Sequence, residues 1–164
     1  MPTAPNKLSR LIARVAKLPT PIRTRVLSAL IGRTVKFAGT ANLEILEMTR
    51  GRVRVRLANK RPVQNHIGGI HAAAMALMAE SATGFVAGMA VPDTGVPVIK
   101  SMQVQYLKRT QGAMEAVATL SEEELARIES TEKGEVVVPV TVTDESGREP
   151  ISCEMVWAWV PKRR

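Results

Sequence analysis

From Ile67 to Pro92 the chain is apolar or small at nearly every position, and its one carboxylate is Glu80. The run is long and Ala-rich and has no interior proline, which predicts a helix near the centre of a fold. Gly68 and Gly69 supply a turn before it and Pro92 stops it. A run of this length can also span a bilayer. Against that, Glu80 would stand mid-membrane at a cost of about 2.5 kcal/mol or more, and Gly84 and Gly88 dilute the hydrophobicity. A buried helix wrapped by a sheet fits better. A lone glutamate on such a helix is costly to bury unless something uses it.

At 164 residues the chain is expected to be one domain. With aromatics at only 3%, aliphatic side chains and methionine must fill the core. The single cysteine, Cys153, excludes an internal disulfide and points to a reducing, cytoplasmic compartment. One cysteine and two histidines also argue against a protein-built zinc site, so no metal is expected.

The net charge of +8 belongs to one end. Residues 1–43 hold Lys7, Arg10, Arg14, Lys17, Arg23, Arg25, Arg33 and Lys36 and no acid, whereas the other 15 basic residues match the 15 acidic ones. Leu8, Leu11, Ile12, Val15 and Leu18 fall at helical spacing. After Pro19 and Pro21 a second helix is expected, with Ile22, Val26, Leu27, Leu30 and Ile31 on one face and an end at Gly32. Four readings stand here: helices packed on the body with a solvated basic face, a membrane-surface contact, a transit peptide, or a nucleic-acid contact, the last not expected as a partner of the domain. Residues 1–33 are thus expected to form basic amphipathic helices preceding a domain over 34–164.

Strands are expected over 41–48, 52–57, 98–107, 114–120, 135–142 and 151–160. The second alternates: Val53, Val55 and Leu57 inward, Arg52, Arg54 and Arg56 onto a solvated face. Gly51 marks the first hairpin and Asp144 to Pro150 the last. Ser121 with Glu124 three positions on is a capping box that predicts a short acidic helix. Helix, two strands, long helix, four strands joined by short turns make an α+β layout: one curved antiparallel sheet around a central helix.

That order, with Asn65, His71-Ala72-Ala73 and Glu80, resembles the hotdog-fold thioesterases of the phenylacetate-type branch. Their pattern is a polar amide residue, then His-Gly-Gly, then a carboxylate along the central helix. The likeness is closest to a bacterial subgroup with Asn-His-x-Gly-x-x-His-Ala, the DUF4442-like proteins, and extends from Thr34 to Pro161. Tyr106-Leu107-Lys108-Arg109 followed by Gly112 also looks like that family's strand and turn. The chain departs from the pattern at Ala72-Ala73, where Gly-Gly is usual.

The spacing adds an argument of its own. Glu80 lies nine residues beyond His71, about 13 Å along a helix and about two and a half turns round it, so the two side chains face opposite ways. A two-fold dimer brings Glu80 of one subunit beside Asn65 and His71 of the other. The resemblance implies such a shared site in a homodimer, or a dimer of dimers. It implies an acyl-CoA or acyl-carrier-protein thioester as substrate, with coenzyme A as part of it and no other cofactor. The expected roles follow. The Ala72 N–H and the Asn65 amide hold the oxyanion, and Glu80 activates water or attacks directly. His71 orients the carbonyl or the water. Gly69 and Tyr106 line the substrate, and Lys108 and Arg109 meet its phosphates. Ser81 and Thr83 are expected to bond within the helix, and His66 to bond to backbone in the loop. Two alternatives remain: a hotdog dehydratase or hydratase pairing His66 with Glu80, and an acyl-thioester-binding module without turnover.

Overall fold

The computed structural model describes residues 5–162; residues 1–4 and 163–164, the outer ends of the two expected segments, lie outside it. Three helices open the chain: α1 (Lys7–Val15), α2 (Thr20–Thr34) and α3 (Lys36–Thr40). A hairpin of β1 (Glu44–Thr49) and β2 (Arg52–Leu57) leads to the central helix α4 (Ala72–Ala90). Then come β3 (Gly95–Tyr106), β4 (Met114–Thr119), α5 (Glu122–Ser130), β5 (Gly134–Val137), β6 (Val140–Asp144) and β7 (Ile151–Pro161). This is the expected α+β arrangement, a hotdog fold with sheet wrapped round one long helix. Among the described residues α4 is long and apolar enough to cross a membrane, yet thirteen of its nineteen side chains are buried inside the protein.

The wrapping comes from two antiparallel ladders in the order β1-β2-β4-β6 and β3-β7-β5, where the sequence suggested one sheet of six strands. The expected strand over 135–142 is in fact two. Pro139 has no N–H and interrupts the ladder. On one side of it the Val138 N–H donates to Met155 C=O of β7, and on the other the Pro139 C=O accepts from Thr119 N–H of β4. The chain changes sheets at that proline. The strand expected from residue 41 begins at Glu44, because α3 precedes it, and α2 runs past Gly32 to Thr34.

Both ladders pack on α4. Val53, Val55 and Leu57 of β2 are completely buried against it, with Met114, Ala116 and Ala118 of β4. On the second ladder Trp157 of β7 lies across the helix at Gly84, where a Cβ would come within 2.6 Å of the indole. Its Nε1–H donates to Thr83 Oγ1 at 2.9 Å, and that hydroxyl donates back to Ala79 and Glu80 carbonyls one turn earlier. The buried threonine is thus satisfied, as burial requires.

The N-terminal helices lie against the body. The Asn6 side chain caps α1 by accepting from Ser9 N–H, and its amide donates to the carbonyls of Gly88 (2.8 Å) and Val91 (2.6 Å). Ser9 Oγ donates to Met89 C=O. These bonds satisfy carbonyls that the end of α4 leaves open. The expected apolar stripe of α1 is wider than its contact: Ile12 and Val15 are buried, but Leu11 and Leu18 are exposed, as is Ile22 on α2.

Candidate functional site

The loop entering α4 is closed by Asn65. Its Oδ1 accepts from the N–H groups of Ile67 (3.0 Å) and Gly69 (3.1 Å), and its backbone N–H donates to Gly69 C=O. Gly68 sits at φ +77°, a conformation that glycine adopts at least cost. Asn65 therefore builds the turn with its oxygen, while its Nδ2 has no acceptor among the described residues. Gly69, expected to line the substrate, has its N–H committed to Asn65.

His71 is the N-cap of α4, and its Nδ1 accepts from Ala73 N–H at 3.0 Å. The bonds of Ala74 and Met75 to His71 C=O start the helix. Ala72, the first helical residue, keeps a backbone N–H with no acceptor among the described residues. That donor stands at the positive end of a nineteen-residue helix. Tyr106 at the end of β3 donates its Oη–H to Ala72 C=O at 2.9 Å and pins this turn to the sheet. Burial pushes the Tyr106 phenol up, which keeps it a donor.

These groups line an open cleft of about 580 Å³ that holds Asn65, Gly69, Ala72, Tyr106, Lys108 and Arg109. Lys108 and Arg109 are exposed there and have no carboxylate partner among the described residues. Sequence reasoning missed Asn59, Met75 and Thr110, which also line it. Asn59 donates to Gly68 C=O and accepts from Gln64, a turn residue whose function only the fold reveals.

Two of the expected site residues lie elsewhere. The His71 ring faces a separate groove with Phe37, Val63 and Leu77. Glu80 lies two turns into α4, on a half-exposed stripe of Ala76, Glu80, Gly84 and Gly88 along an otherwise buried helix. Burial pushes its carboxyl above the ordinary glutamate value, opposed by a long bond from Ser81 Oγ at 3.4 Å. Ser81 therefore bonds to Glu80 itself, whereas Thr83 bonds within the helix as expected. His66 is exposed in the turn, and its ring bonds to nothing among the described residues, so the expected backbone bond is absent. Burial pushes the Cys153 thiol up to about 11, too high for a nucleophile at neutral pH.

The Glu80 stripe runs beside β3, which touches α4 at both ends: Tyr106 reaches Ala72, and Pro97 lies against Gly88. β3 is hydrogen-bonded to β7 along one edge only. Its side chains Ile99, Met102 and Tyr106 are exposed at 37%, 49% and 51%. The sequence carried a signal for this: β3 has apolar residues at both parities, as in a strand covered on both faces.

A family model described as a domain of unknown function, DUF4442, matches residues 23–160. No curated protein matches the sequence. Among solved structures, one is a protein of unknown function from Pseudomonas aeruginosa, described as a probable thioesterase. It is 22% identical, with 88% of this chain and 97% of that one covered at a TM-score of 0.76. A thioesterase family protein from Silicibacter pomeroyi is 15% identical over 82% of this chain and 95% of that one, at 0.65. A Haemophilus influenzae thioesterase is 12% identical over 84% and 90%, at 0.67. At these identities the likeness fixes the fold.

Proposed function

Because this chain belongs to the DUF4442 family and has the hotdog fold of its thioesterase neighbours, we propose that it hydrolyses acyl thioesters, of coenzyme A or of a carrier protein, as a homodimer with shared sites. The observation that carries this reading is the cleft. It combines the Ala72 N–H at a helix N-terminus, the Asn65 Nδ2 group in the same cleft, and Lys108 and Arg109, none of them paired among the described residues. Such a site suits an electrophilic carbonyl joined to a phosphate-bearing carrier.

In this reading the thioester oxygen lies against Ala72 N–H and Asn65 Nδ2, and the helix dipole favours the negative charge that develops there. Lys108 and Arg109 hold the carrier's phosphates. The cleft has no base of its own, because Glu80 of the same chain is about 12 Å further along α4. Two copies pairing through β3 bring Glu80 of one chain to the cleft of the other. Pairing also covers Ile99 and Met102 and dries the carboxylate further. Glu80 then takes a proton from water, the hydroxide oxygen bonds to the carbonyl carbon, and the C–S bond breaks. The proton passes to the leaving sulfur, giving a carboxylic acid and a free thiol. His71 is a positioning residue that fixes the start of α4 and so the aim of Ala72 N–H. Hydrolysis is preferred to dehydration, since the exposed His66 ring has nothing to orient it.

Free-thiol release from a panel of acyl-CoAs tests the proposal. Glu80→Gln should abolish turnover in a folded dimer. Ala72→Pro is the sharper variant. Proline is well tolerated at the first helical position, and His71 already has the extended conformation (φ −66°, ψ 141°) that a following proline requires. The change deletes one N–H and should lower kcat about 100-fold or more. Parental turnover in either variant defeats the mechanism, and an enoyl substrate hydrated faster than any thioester is cleaved defeats the hydrolase reading.

A further inference from the structure

We infer that the outer surface of α1 and α2 is a docking site for an anionic lipid bilayer. Packing against the body uses Leu8, Ile12 and Val15 of α1 and Leu27 and Ile31 of α2. Leu11, Leu18 and Ile22 are left outside, at 38%, 37% and 51% exposure. They are not scattered. Leu11 lies on α1, Leu18 in the turn that follows it, and Ile22 just across the Pro19 corner on α2, so the three cluster about the α1–α2 junction.

The charges around them are Arg14, Lys17 and Arg25, all exposed. None of the three has an acidic partner among the described residues; on α1 the one ion pair is Arg10 with Asp93, on its inner end. No acidic residue occurs before Glu44. Basic side chains interleaved with exposed aliphatic ones match a bilayer interface, where lysine and arginine meet headgroups and leucine and isoleucine enter the acyl boundary. Nucleic acid would use the charges but not the aliphatic side chains. A second feature points the same way. Beneath α1, where Ala13 and Ala16 leave its flank thin, an open slot of about 490 Å³ is lined by Ile12, Met48 and Met89. Its floor is largely aliphatic, with the paired Arg50 and Glu129 at one side, a lining that suits a hydrocarbon chain beside a polar headgroup.

The surface is independent of the cleft at the opposite end of α4, so the inference stands apart from the hydrolase reading. The test is sedimentation of the full chain with vesicles of phosphatidylcholine alone, or with about a third phosphatidylglycerol, at low and high salt. Binding is expected to the anionic vesicles only and to weaken with salt. Arg14→Glu with Lys17→Glu should reduce it about tenfold or more, and Leu18→Ser with Ile22→Ser should reduce it by a similar factor. Both double variants replace exposed side chains, and their melting temperatures should match the parent. Failure of the parent to sediment with anionic vesicles at low salt overturns the inference. So does equal binding to neutral vesicles. So does stronger binding to duplex DNA that the charge reversals remove and the serine pair leaves intact.

Discussion

The two ladders around α4 are built from similar strands and finished differently. On β2 the outward side chains Arg52, Arg54 and Arg56 are each tied to a glutamate on the same sheet: Glu47 at 3.2 Å, Glu115 at 3.0 Å and Glu44 at 3.1 Å. Its inward side chains have no exposure at all, and both its edges are paired, with β1 and β4. That strand is complete within one chain. β3 is twice as long and keeps one unpaired edge with apolar side chains in solvent. Natural proteins protect long apolar edges of this kind. The contrast teaches that a lone chain has one finished wall and one unfinished wall, and Glu80 lies beside the unfinished one.

The largest break in that comparison comes from charging the unfinished wall. Ile99→Asp with Met102→Asp should convert the proposed dimer to monomers by light scattering and remove turnover, while far-UV circular dichroism stays parental. A monomer that still hydrolyses thioesters separates activity from pairing and contradicts the shared site. Next is the packing that joins α4 to the second ladder. In Gly84→Ala the new Cβ meets the Trp157 ring at 2.6 Å, so the tryptophan or the helix must shift, a loss of about 1–3 kcal/mol in chemical denaturation. No loss would mean that the indole is loosely held.

Glu80 sharpens the comparison through pH. Its folded pKa is raised by burial, so its stabilising contribution is present below the ordinary glutamate value and is lost as pH rises through the raised one. At neutral pH, Glu80→Gln should therefore melt at or above the parent even as activity disappears. With Glu80 as the proposed base, parental turnover should fall as pH drops through that raised value. Activity flat across the acid range would exclude Glu80 as the base. The smallest effect belongs to the finished wall. Arg54→Ala removes an exposed ion pair and should change stability by about 1 kcal/mol or less, with no change in oligomeric state.

Much of this was legible in the sequence, for physical reasons. A long alanine-rich run with one carboxylate and a proline stop leaves little choice but a core helix. Val53 to Leu57 alternates cleanly, and Ser121 with Glu124 forms the capping box that the residues specify. The Pro139 switch was hidden inside a valine-rich run, with Val136 to Val138 before it and Val140 and Val142 after it. The proline was the warning, since a central strand does not carry one. At the site, Asn65, Ala72, Tyr106, Lys108 and Arg109 meet in one cleft, whereas His71 turns away as a cap. A sequence does not show which way an N-cap ring points, nor that a single tyrosine will bond to the helix it faces. Leu11 and Leu18 share helical spacing with the buried Ile12 and Val15 yet stay exposed, because spacing reports a face and not whether anything covers it.

The central claim, that one site is built from two chains, is tested most directly by mixing two inactive variants. Glu80→Gln chains keep an intact Ala72 donor, and Ala72→Pro chains keep an intact base. After subunit exchange at equal amounts, half of the dimers pair one of each, and every mixed dimer has one complete site. Thiol release should return to about a quarter of the parental rate. Mixed dimers confirmed by native mass spectrometry that stay as inactive as their parents would contradict the shared site.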